Sequence, residues 1–67
     1  MSNDDNTVEF EDVFVEAETP LAILCEIDGK KCWIPQSQIQ ADSEVWHAED
    51  QGTLVVTRWW AEKEGLV

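Results

Sequence analysis

Basic residues are scarce in this chain: Lys and Arg together number 4 among 67 residues, against 15 Asp and Glu, for a formal charge of −11. That balance denies it the strongly basic face with which typical nucleic-acid modules meet phosphate. Glycine is also scarce, at 3 residues, so a glycine-rich phosphate loop is excluded. The 2 cysteines and 1 histidine fall short of a four-ligand zinc set. No window approaches the ~20 apolar residues of a membrane-spanning helix, and Met1–Thr7 has neither the basic nor the apolar region of a signal peptide. The expectation is a cytoplasmic protein with no membrane partner. A chain this short makes one domain, burying roughly 60% of its unfolded surface and holding modest stability.

Catalytic patterns are missing as well. His47 stands near Glu49 and Asp50, but no serine or cysteine lies in a nucleophile setting and no H-E-x-x-H pattern occurs. The carboxylates lack the spacing of a calcium-binding loop. No enzymatic activity, no cofactor and no metal site are expected, and His47 reads as a solvated loop residue.

What the chain does hold is 43% hydrophobic residues, among them 4 tryptophans, too apolar a content for a disordered acidic tail. Met1 to Thr7 reads as a polar, acidic leader, and residues 8–67 as a single small domain. From Val8 to Ala17 the residues alternate as in a strand, but the phase shifts at Glu11-Asp12, which predicts a bulge there. Thr19-Pro20 ends the segment, because proline removes an amide donor and restricts the residue before it.

Leu21 to Pro35 predicts a hairpin, since two β-prone runs flank Asp28-Gly29, a pair suited to the left-handed backbone of a two-residue turn. That turn fixes the register: Ile27 opposite Lys30, Glu26 opposite Lys31, Cys25 opposite Cys32, Leu24 opposite Trp33, Ile23 opposite Ile34. Side chains alternate across strands, so Ile23, Cys25, Ile27, Cys32 and Ile34 share the core face, while Leu24, Glu26, Lys31 and Trp33 share the outer one. Cys25 and Cys32 fall at a hydrogen-bonded pair, where side chains converge less, and a reducing compartment favours two free thiols.

Gln36-Ser37-Gln38 predicts a single turn that delivers Ile39 to the core. Ser43 to Trp46 is expected as a short strand, His47 to Gly52 as a loop, and Thr53 to Thr57 as the strand completing a second hairpin. Trp59 to Glu64 predicts a short helix with Thr57 as N-cap and Gly65 as terminator, anchored through Trp59 or Trp60 with Leu66. The expected fold is mainly β (α+β): a small curled antiparallel sheet or partial barrel of the SH3-like or OB-like kind, with a short C-terminal helix.

Charge speaks most clearly of partners. The acidic run before Lys30 and the acidic middle turns make Glu9, Glu11, Asp12, Glu16, Glu18, Asp42, Glu44, Glu49 and Asp50 candidate contacts to a basic protein surface. Such an array can also imitate the phosphates of a nucleic acid. Four tryptophans exceed what so small a core can enclose, which makes Trp33 or Trp46 a candidate aromatic anchor. Two other readings stand beside this one. Trp33 with nearby lysines is the element of a single-stranded nucleic-acid binder, and exposed indoles with open strand edges suit a self-associating subunit.

The run Trp33-Ile34-Pro35-Gln36-Ser37-Gln38-Ile39, then Ser43-Glu44-Val45, Gly52 to Val56 and Trp60 to Leu66, resembles a family of short accessory proteins of bacteriophages and mobile elements carrying a W-I-P-x-S-Q-I motif. The resemblance spans about residues 21–66. It implies a phage-type accessory module with no catalytic residues. By analogy with phage proteins of this size and charge, it implies an inhibitor that occupies a nucleic-acid groove or a subunit interface of a host defence complex.

Overall fold

A computed structural model describes residues 6–67 of the chain. Strands β1 (Thr7–Glu18), β2 (Ala22–Ile27), β3 (Lys30–Pro35) and β4 (Gln51–Thr57) form one antiparallel sheet in the order β3-β2-β1-β4, followed by helix α1 (Arg58–Lys63). The sheet is curled but not closed. Met1–Asp5 of the expected leader lie outside the described residues, while Thr7 already belongs to β1. Among the described residues no helix is long and apolar enough to cross a membrane.

The β2–β3 hairpin has the register that its Asp28-Gly29 turn dictates, from Ile27 opposite Lys30 to Ile23 opposite Ile34. Both turn residues adopt positive φ, 51° at Asp28 and 82° at Gly29, as a type I′ turn requires. The bulge expected at Glu11-Asp12 is present: pairing with β4 jumps from Phe10–Leu54 to Val13–Gly52, and Asp12 takes φ 58°. A second irregularity, at Glu16, falls between Val15–Cys25 and Ala17–Leu24. A bulge bends its strand and increases local twist, so two of them in the twelve residues of β1 account for the curl.

Ser43–Trp46 is not a strand and no second hairpin forms, which corrects the reading of that region. β4 pairs with β1, because the alternating apolar residues of both strands complete one core face there. The far edge of β4 is instead sealed by irregular chain. Gln40 N–H donates to Val55 O, Glu44 N–H to Thr53 O, and the Val55 amide reaches the Ser43 hydroxyl at 3.2 Å. Ser43 is nearly buried so that its hydroxyl can replace a backbone acceptor.

One core lies on the concave side: Val13, Val15, Ile23, Cys25, Ile34, Leu54 and Val56 from the sheet, Ile39 and Val45 from the loops, Trp60 and Ala61 from α1. The Gln36–Gln38 turn delivers Ile39 to this core as expected. In α1 the Thr57 hydroxyl accepts from Trp60 N–H at 3.2 Å. At the other end Leu66 N–H donates to Ala61 O and Gly65 N–H to Glu62 O, with Gly65 at φ 75°. That paired pattern satisfies carbonyls the last turn would leave open. Trp60, 3% exposed, is the indole that anchors the helix, while Trp59 is 63% exposed, with the Lys63 ammonium 5.6 Å from its ring centre.

Candidate protein-interaction surfaces

The acidic side chains divide into two groups according to what the fold asks of them. In the first, Glu9, Glu11 and Asp12 project from β1, with Glu9 opposite Val55 and the Glu11-Asp12 bulge beside Thr53. Asp42 and Glu44 come from the segment that seals the other edge of β4. β4 itself, Gln51 to Thr57, carries no charged residue, so these exposed carboxylates flank a neutral strand on both sides. Glu44 also has a local duty, since its Oε1 accepts the Thr53 amide at 3.0 Å.

The second group surrounds the 46–50 loop and is largely engaged. Asp50 Oδ2 accepts the amides of Trp46 and His47, both at 2.9 Å, which folds the loop around one carboxylate. Glu18 Oε1 accepts the Ala48 amide at 2.9 Å, while Oε2 lies 3.3 Å from His47 Nδ1. Glu49 N–H donates to Val15 O and Val15 N–H to Asp50 O, tying the loop to β1. Glu16 meets the Lys31 ammonium at 3.2 Å. The backbone amide of Ala48, then the His47 hydrogen bond, hold the Glu18 carboxyl below its ordinary pKa, and the Trp46 and His47 amides do the same for Asp50. Of this group Glu49 alone is both exposed and without a hydrogen bond or ion pair from its side chain among the described residues.

A third surface lies on the convex side. Ala22, Leu24 and Glu26 of β2 share the outer face with Lys31, Trp33 and Pro35 of β3. Phe14 of β1, opposite Glu26, extends it. Trp33 is 51% exposed and sits across from Leu24, giving an apolar row bordered by Glu16, Glu26 and Lys31. Phe14 is the member that sequence reasoning missed; its placement between the inward Val13 and Val15 was the available signal. Trp46, the other candidate anchor, is turned inward: it packs against the core and its indole N–H donates to Ser43 O at 2.9 Å.

Among the described residues no group of three or more His, Cys, Asp or Glu side chains is placed to hold a metal ion. Cys25 and Cys32 are free thiols. Burial pushes Cys25 up to about 12, and burial followed by the Glu64 charge raises Cys32, so neither is activated as a thiolate. Comparison of the chain with family models, with curated proteins and with solved structures finds no match.

Proposed function

We propose that this protein is a non-enzymatic acidic binding module that docks the β4 side of its sheet on a basic surface of another protein. The observation that carries this reading is the sorting of carboxylates. Glu9, Glu11, Asp12, Asp42 and Glu44 stand exposed around an uncharged strand, Glu44 alone of them also accepting a backbone amide, whereas Glu16, Glu18 and Asp50 are occupied within the fold. A patch of one sign steers encounter with the opposite sign and penalises wrong partners. Where the partner's basic surface is a nucleic-acid groove, these carboxylates take the places of phosphates and the module acts as a competitive inhibitor. A host defence complex would be such a partner for a phage-type accessory protein. Direct nucleic-acid binding at Trp33 is less well supported, because Glu16 neutralises Lys31 and Glu26 faces it.

The test uses two variants with the same change in net charge. One carries Glu9→Gln, Glu11→Gln, Asp12→Asn, Asp42→Asn and Glu44→Gln; the other carries Glu26→Gln, Asp28→Asn, Glu49→Gln, Glu62→Gln and Glu64→Gln. Association with a cationic nucleic-acid-binding protein is followed at low and high salt, with surface plasmon resonance as readout. The reading expects the first variant to lose the salt-sensitive association and the second to keep most of it. Equal losses in both would mean that net charge acts without a site.

A further inference from the structure

The two edges of the sheet are treated differently. β4's outer edge is sealed by residues 40–44, but β3 has no neighbour on its far side among the described residues. In the hairpin, Lys30, Cys32 and Ile34 direct their backbone groups to β2, as the closing Ile27–Lys30 pair requires, and Gln36 N–H continues the series to Leu21 O at 2.9 Å. Lys31 and Trp33 therefore turn their N–H and C=O groups outward, into an open edge. Such an edge is a template for another strand.

We infer that this edge pairs with a second copy of itself, two β3 strands meeting antiparallel about a two-fold axis at Cys32. Three registers place outward-facing residues opposite each other, and the chemistry selects among them. Centring on Lys31 sets two ammonium groups face to face. Centring on Trp33 sets Lys31 against Pro35, which has no N–H to give. Centring on Cys32 sets Lys31 against Trp33 twice, so that all four outward N–H and C=O groups of each central pair of residues find partners. On the outer face the aliphatic stem of each lysine, whose ammonium is turned back to Glu16, then lies beside its partner's indole.

Charge points to the same place. β3 holds Lys30 and Lys31 and no carboxylate, whereas β1 is heavily acidic, so two copies of a chain of charge −11 meet here with least opposition. Glu16, 3.2 Å from Lys31, offsets the like charges that the two edges would otherwise bring together. The pairing joins the two convex faces, making the Phe14, Leu24 and Trp33 rows one continuous strip. It leaves both acidic β4 sides at the far ends of an eight-stranded sheet, free to engage a partner. Because the remainder of each molecule repels the other, added salt should strengthen this association, opposite to its effect on binding a basic partner.

Sedimentation of the isolated full chain across concentration, at low and at high salt, tests the inference. A dimer whose population rises with salt is expected. Lys31→Pro removes an outward N–H without touching the bonds to β2, a placement edge strands tolerate, and should weaken dimerisation about tenfold or more while circular dichroism stays unchanged. Glu16→Gln with Lys31→Gln serves as a control that should leave the dimer in place. At the axis the two Cys32 residues form a non-hydrogen-bonded pair with Cα atoms about 4.5 Å apart. Diamide, accepting the two electrons and two protons of the two thiols, should therefore link the chains through Cys32, and Cys32→Ser should abolish the link. A chain that stays monomeric at millimolar concentration in high salt overturns the inference. So does a dimer that Lys31→Pro leaves intact.

Discussion

The β2–β3 hairpin and the 39–50 segment both contribute to the core but are held in place by different means. In the hairpin the order is local: a two-residue turn, strict alternation and a ladder between neighbouring residues. The 39–50 segment has almost no ladder. Several of its amides are taken up by carboxylates instead, Ala48 by Glu18, thirty positions away, and Trp46 and His47 by Asp50 of the same loop, while others reach backbone carbonyls of β1 and β4. The contrast shows that carboxylates in this chain serve two ends. Those around the 46–50 loop replace missing secondary structure, and those around β4, apart from Glu44 with its bond to the Thr53 amide, remain free for solvent or a partner.

The largest expected effect tests the shared core. Ile34→Ala on β3, at a fully buried position, should lower stability by about 2–5 kcal/mol, measured by urea denaturation. Gly52→Ala comes next. Gly52 has φ 155°, and an added Cβ would lie 2.7 Å from Glu44 Oε1, displacing the carboxylate that caps Thr53. A loss on the order of 1–3 kcal/mol is expected, with faster amide exchange at Thr53. A smaller loss for Gly52→Ala than for an exposed substitution would show that the sealed edge of β4 is not held through Glu44.

The pH dependence probes the carboxylates that hold the 46–50 loop. Glu18 and Asp50 have folded pKa values below their ordinary ones, so the folded state binds fewer protons than the unfolded chain as pH falls through the carboxylate range. Their contribution is complete above the ordinary range of roughly pH 4, and it is lost as pH drops through the lower folded values. Glu18→Gln with Asp50→Asn should flatten this acid limb in urea midpoints taken against pH, and should speed exchange of the Trp46, His47 and Ala48 amides. The smallest effect belongs to the convex face: Phe14→Ala or Trp33→Ala should change monomer stability by about 0.5 kcal/mol or less, because neither side chain belongs to the core.

The same contrast explains what was legible in the sequence. The hairpin register, the Glu11-Asp12 bulge, the Thr57 cap and the Gly65 terminator each follow from a few adjacent residues with strong backbone preferences. Ser43–Trp46 misleads because Val45 and Trp46 are β-prone, yet the Trp46 amide is taken by the Asp50 carboxylate and Val45 O by the Ser43 hydroxyl, pairings that a strand pattern does not record. The Glu16 irregularity was hidden for a similar reason, since it depends on the match between two whole strands. For the candidate surfaces, composition indicated the acidic character. It did not divide Glu18 and Asp50 from Glu11 and Asp12, a distinction that exists only once Ala48, Trp46 and His47 are brought to them.

The central claim is that the carboxylates flanking β4 form the contact surface, and nuclear magnetic resonance reads it residue by residue. An isotope-labelled chain titrated with a short arginine-rich peptide at low salt should show shifts concentrated at Glu9, Glu11, Asp12, Asp42, Glu44 and the intervening β4 amides, fading as salt is added. Shifts spread evenly over every acidic residue, or gathered instead at Lys31 and Trp33, would contradict it.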